Sequence, residues 1–167
     1  MKKALWLTLA MLPALANAQK ANPPAHFEPL AFLAGSCWKG QFADGKQLDE
    51  HCFEWVYGGF FLRDRHTVSG GPAPYGGETI YYFDAPSKTM HYLYINVLGG
   101  NSRGTVTANG DVLQFPEEQY RDGTQQLTYR SSWRRDGNDA YVVLTESKTP
   151  DGWKEAWRVR MERQKKP

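Results

Sequence analysis

Two short repeats carry the groups best suited to chemistry: Asp49-Glu50-His51 and Asp64-Arg65-His66 each set an aspartate two residues before a histidine. Residues two apart on a strand share a face, so each pair would project from one side of a sheet. Two neutral imidazoles and a carboxylate suit a divalent metal, with His51, His66 and either Asp49 or Asp64 as ligands. The same four groups can instead satisfy one another in a polar barrel floor, or act as acids and bases. No nucleophile or oxyanion donor accompanies them, so the residues point to a binding protein rather than an enzyme.

The elements that must position these groups are legible around them. Ser36 to Val68 reads as three consecutive antiparallel strands separated by Asp44-Gly45 and Gly58-Gly59. Each dipeptide is a two-residue hairpin signal, because a type I′ turn needs positive φ at both central positions. With Ala43 and Lys46 flanking the first turn, Lys39 faces Glu50, Trp38 faces His51 and Cys37 faces Cys52. With Tyr57 and Phe60 flanking the second, His51 faces His66. Trp38, Gly40, Phe42, Phe53 and Trp55 then share the face of His51, and Phe60, Leu62 and Val68 share that of Asp64 and His66. The apolar company makes this the inward face, with Arg63 and Arg65 turned to solvent. A neutral histidine pair there would make ligand affinity fall as pH drops below about 6.5.

The remaining chain repeats the pattern. Turn signals recur at Gly70 to Gly76, Asp84 to Lys88, Leu98 to Asn101, Asn109-Gly110, Arg121 to Gly123, Asp136 to Asn138 and Thr149 to Gly152. Together with the first two they make nine connections and ten strands. Leu127, Tyr129 and Trp133 alternate with Thr128, Arg130 and Arg134, and Trp153, Trp157, Val159 and Met161 oppose Lys154, Arg158 and Arg160. Short antiparallel strands with one apolar face lose their edges by closing into an up-and-down barrel, the expected fold, with a sandwich as the alternative. Pro29 to Gly35 reads as a short helical turn before the first strand, and residues 19–28 as extended.

Lys2 and Lys3, an apolar run from Ala4 to about Leu12, and Ala16-Asn17-Ala18 have the form of a secretory signal peptide over residues 1–18. The run is too short for a transmembrane span of about 20 residues. Its removal takes two Lys, leaving 18 Lys plus Arg against 18 Asp plus Glu. That balance, with no basic run, argues against a nucleic-acid partner. About 149 residues remain, one domain, with its barrel over residues 29–163 and a frayed end at 164–167. Export also makes the two cysteines a structural disulfide, Cys37 to Cys52, in a periplasmic or secreted protein.

The segment Pro29-Leu30-Ala31-Phe32-Leu33-Ala34-Gly35-Ser36-Cys37-Trp38-Lys39-Gly40, an apolar turn leading into Gly, Trp and Gly on a first strand, resembles the start of the lipocalin-like barrels of the calycin superfamily. The likeness is nearest to nitrobindin-like ten-stranded barrels and related bacterial families of unknown function, and the hairpin Tyr81 to Lys88 adds to it. Two residues separate Gly35 from Trp38 where the usual pattern has one. The resemblance implies a lumenal site, and a nitrobindin would ligate haem through a histidine on a late strand. No histidine follows His91, so haem does not carry over.

The expected function is binding of a small hydrophobic or amphipathic molecule in the lumen, by Trp38, Asp49, His51, Phe53, Trp55, Asp64 and His66. The alternatives are a metal- or haem-dependent enzyme built on the histidines, with His51, His66 and Asp64 as metal ligands, and a packed barrel whose outer face binds an envelope partner.

Overall fold

The computed structural model describes residues 22–123 and 125–165, so the leader expected over residues 1–18 lies outside the described residues. The strands are β1 Ser36–Gln41, β2 Leu48–Val56, β3 Phe61–Ser69, β4 Tyr75–Asp84, β5 Thr89–Asn96, β6 Asn101–Asn109, β7 Val112–Asp122, β8 Gln125–Arg135, β9 Ala140–Thr149 and β10 Gly152–Arg163. Each pairs antiparallel with the next in sequence, and β1 pairs with β10, so ten strands close into one up-and-down barrel. Closure leaves no free sheet edge.

The first three strands pair in the expected register: Cys37 with Cys52, Trp38 with His51, and His51 with His66. Cys37 and Cys52 form a disulfide. The Gly58-Gly59 turn has both glycines at positive φ, 72° and 96°. The Asp44-Gly45 turn differs from expectation. Strand pairing stops one step earlier, with the Phe42 N–H on the Gln47 carbonyl and the Gly45 N–H on the Phe42 carbonyl, both at 3.0 Å. Gly45 has φ 67°, whereas Asp44 stays in the ordinary region and accepts the Lys46 and Gln47 N–H groups at 2.9 and 3.0 Å. The longer loop is centred on the same peptide bond as the two-residue turn, so the register survives.

Two bulges break the alternation later in the chain. One in β10, between Glu155 and Trp157, sends Trp153 outward, where it lies under the Arg130 guanidinium, 4.6 Å from its ring centre. Trp153 therefore does not share the inner face of Trp157, Val159 and Met161. The other lies in β7 between Phe115 and Glu118, at Pro116, whose missing N–H cannot serve the ladder. It turns Glu118 and Tyr120 inward.

The barrel has one packed end and one open end. A 3₁₀ helix, Ala25–Leu30, and the turns that follow it to Gly35 cross the packed end, starting earlier than the expected turn at Pro29. Three residues per turn put Phe27, Leu30 and Leu33 on one side, and all three are buried. Trp38 Nε1–H donates to the Leu33 carbonyl at 3.1 Å. Arg163 lies over the Trp38 ring at 4.1 Å and donates to the Phe32 and Asn138 carbonyls at 3.0 and 2.9 Å, joining last strand, first strand and plug. Gln164, placed by sequence in the frayed end, donates its N–H to the Cys37 carbonyl at 2.8 Å. Outside, ion pairs such as Lys39–Glu50 and Arg63–Glu54 cover β1 to β3, the reverse of the apolar band of a membrane barrel. Among the described residues, no helix is long and apolar enough to cross a membrane.

Candidate functional site

The alternation of β2 and β3 sends Asp49, His51, Asp64 and His66 to the lumen, where all four line a cavity of about 600 Å³. The imidazoles stack at 4.9 Å between ring centres. His51 Nδ1 lies 2.7 Å from Asp64 Oδ2 and its Nε2 lies 3.1 Å from Asp49 Oδ2. A carboxylate accepts and does not donate, so both ring nitrogens carry hydrogen and His51 is an imidazolium. Burial opposes that charge, but the Asp64 and Asp49 carboxylates outweigh it and push the His51 pKa up to about 10. Burial likewise works against the Asp49 carboxylate, and the His51 charge with the bonds from His51 and His66 holds it well below the usual carboxylate range. The expectation of a neutral pair titrating near 6.5 is therefore corrected for His51: flanking carboxylates keep it charged.

The network continues toward the mouth. His66 Nδ1 faces Asp49 Oδ1 at 3.4 Å and its Nε2 faces Tyr94 Oη at 3.0 Å. Tyr94 bonds Tyr75 at 2.6 Å, and Asn96 Nδ2 donates to both Tyr75 and Tyr120, at 3.0 and 2.8 Å. Gly77 makes this reach across β4 feasible. It sits opposite His66, and a Cβ there would collide with the Tyr94 ring. Burial, then the bond to Tyr75, pushes the Tyr94 hydroxyl up, and burial does the same at Tyr75, so both stay protonated donors.

Across the lumen, Tyr92 bonds Glu118. Burial raises the Glu118 pKa against the lowering effect of bonds from Tyr92 and Ser102. Deeper down, Asp64 is 2% exposed and its Oδ1, like Tyr141 Oη, has no hydrogen-bond partner among the described residues. Burial and then the Asp64 charge push the Tyr141 and Tyr81 hydroxyls up.

Of the residues singled out from sequence, Asp49, His51, Asp64 and His66 come together on the cavity wall. Trp38, Phe53 and Trp55 point inward but lie in the packed end: Trp38 is fully buried edge-on to Tyr141, Phe53 is buried, and Trp55 meets Phe27 edge-on at 5.3 Å. The lumen is thus packed at one end and open at the other. Of the alternative metal set, His51 and His66 close with Asp49, within 4.8 Å of one another, while Asp64 is held on the far nitrogen of His51. Sequence reasoning missed Tyr75 and Tyr94 as partners of the histidine cluster, because Tyr94 reaches His66 across β4 at Gly77 and Tyr75 joins the network only through Tyr94. It missed Glu118 because strict alternation puts Glu117 inward; Pro116 within a strand was the available signal of a bulge.

Among solved structures the chain is similar to Rv2717c from M. tuberculosis, at 17% identity with a TM-score of 0.59, over 86% of this chain and 100% of that one. At that identity the likeness shows the fold alone. No family model and no curated protein matches the chain.

Proposed function

We propose that this chain is an exported lipocalin-like binding protein that holds a small, partly apolar molecule in its lumen. The observation that carries the reading is the cavity of about 600 Å³, walled by aromatics such as Tyr81, Tyr92, Phe115 and Trp133 and edged on one side by a polar network. Its size falls within the range of small-molecule sites, about 300–1,000 Å³. The unpartnered Asp64 Oδ1 supports a ligand that brings a hydrogen-bond donor to the deep end. The Cys37–Cys52 disulfide supports an oxidising, extracytoplasmic compartment.

The likeness to nitrobindin-like barrels raises haem as the ligand, and the lumen residues do not fit it. Both nitrogens of His51 face carboxylates, and His66 is bonded on both sides, to Asp49 and Tyr94. The late strands offer Trp133, Val143, Thr145, Trp157, Val159 and Met161 to the lumen, with no imidazole among them. The reading is binding rather than turnover, since the polar side chains of the wall spend most of their hydrogen bonds on one another.

Native mass spectrometry of protein exported by its own leader tests the reading. Wild type should carry a non-covalent adduct that leaves on denaturation, and Val143→Trp, which fills the cavity, should travel bare. An equal adduct on both proteins would put the ligand outside the lumen.

A further inference from the structure

We propose that Asp49, His51 and His66 form a site for one divalent first-row transition-metal cation, opening onto the lumen. His51 Nε2 and His66 Nδ1 converge on the two oxygens of Asp49, at 3.1 and 3.4 Å. Ligand atoms bound at about 2.1 Å in a tetrahedral site lie about 3.4 Å apart; the two nitrogen-oxygen spacings match that value, and the three donor atoms lie within 4.8 Å of one another, a set that closes on an ion by a small inward shift. Asp49 and His51 on β2 and His66 on β3 come from adjacent strands whose register is set by the Gly58-Gly59 turn, and the disulfide beside His51 ties β2 in turn to β1.

What separates this cluster from a merely self-satisfied one is its surroundings. The nitrogen of each imidazole that points away from the shared centre has its own acceptor: His51 Nδ1 has Asp64 Oδ2 at 2.7 Å, and His66 Nε2 has Tyr94 Oη at 3.0 Å. A metal-ligating histidine is oriented in just this way, by a carboxylate or another oxygen on its second nitrogen. The lumen is also a cation trap. Asp49, Asp64 and Glu118 line it and, among the described residues, no Lys or Arg does; the cation they face is the His51 imidazolium, whose charge an incoming ion replaces. The buried, unpartnered Asp64 Oδ1 adds negative potential in a medium where charge is poorly screened.

The donor set is two imidazoles and a carboxylate without thiolate, which suits Zn²⁺, Co²⁺, Mn²⁺ or Fe²⁺, with the remaining positions turned to the cavity. Binding exchanges the proton that His51 Nε2 shares with Asp49 for the ion, while the His66 hydrogen shifts from Nδ1 to Nε2, where Tyr94 Oη accepts it: one cation enters and one proton leaves to solvent. The site stands independently of the lumenal-ligand reading.

Tag-free protein stripped with a chelator and titrated with CoCl₂ gives the test. One equivalent of Co²⁺ per chain should produce visible d–d absorption. Asp49→Asn and His66→Gln should weaken binding by about 100-fold or more, and Asp64→Asn by about 10–100-fold. His26→Gln and His91→Gln, whose rings stack on Phe83 and Tyr82 away from the cluster, should leave it unchanged. Where a variant fails to fold, the wild type decides: paramagnetic broadening should centre on the His51 and His66 ring signals. Absence of Co²⁺ binding up to about 1 mM, binding unaltered in a folded His66→Gln, or broadening centred on His26 or His91 overturns the proposal.

Discussion

His51 Nδ1 and Asp64 Oδ2 lie 2.7 Å apart across the β2–β3 pair, and the second nitrogen of the same ring meets Asp49. One positive ring between two negative carboxylates therefore ties two strands together inside the lumen. The arrangement has a direct consequence for charge. In metal-free protein the His51 ring stays protonated through neutral pH.

The sign of the pH effect follows. The folded pKa of His51, about 10, lies above the about 6.5 of an unfolded chain. Its contribution to stability is complete below about 6.5 and is lost as pH rises through about 10. Asp49 works in the opposite sense, contributing above about 4 and losing that contribution as pH falls toward its depressed folded value. With chelator present, NMR of the ring protons should show His51 as imidazolium at pH 8. A His51 midpoint near 6.5 would contradict this.

Removing the ring alone leaves two carboxylates facing each other without a counter-charge. His51→Phe is expected to cost about 3–5 kcal/mol. The triple variant His51→Phe, Asp49→Leu, Asp64→Leu removes the imidazolium together with both of its carboxylates and should regain most of that loss. Denaturant melts of both proteins check the prediction, and a triple variant no more stable than the single one would show that packing, not charge, sets the cost.

Cys37 and Cys52 close a loop of sequence separation 15. For such a loop chain entropy gives about 3 kcal/mol, an upper value here because the hairpin turn already brings the ends together. At about 2–4 °C per kcal/mol for a chain of this size, reduction should lower Tm by no more than about 12 °C. Thiol titration of unfolded, unreduced protein should find none, and two reactive thiols would contradict the pairing.

Arg163→Met removes the cation over the Trp38 ring together with the bonds to the Phe32 and Asn138 carbonyls. The expected cost is about 2–4 kcal/mol, from a partly desolvated cation–π contact and charged hydrogen bonds. Because the seam lies at the packed end, the variant should keep the lumenal site. A change in Tm under about 2 °C would show that the residue is decorative.

The lumenal placement of His51 and His66 was legible because two symmetric turns and a row of apolar neighbours both specify it, and a slip at either turn would have reversed it. The register even tolerated a wrong turn type at Asp44-Gly45, since both loops share a centre. Glu118 and Trp153 were hidden by bulges, which insert one residue and exchange inside for outside. Tyr94 was hidden for another reason: its bond to His66 crosses a strand at Gly77, a contact that no pairwise reading of neighbouring strands reveals. The 3₁₀ plug begins before Pro29, which lies inside it instead of opening it; the signal is the three-residue spacing of Phe27, Leu30 and Leu33, which marks the buried side.

The open lumen as a binding site is tested most directly by titrating the metal-free protein with N-phenylnaphthylamine, a neutral apolar dye that fluoresces when it leaves water. Saturable binding of one dye per wild-type chain is expected, and its loss in Val143→Trp at unchanged Tm. No saturable signal from wild type, or equal binding by a folded Val143→Trp, would contradict a lumen that holds small, partly apolar molecules.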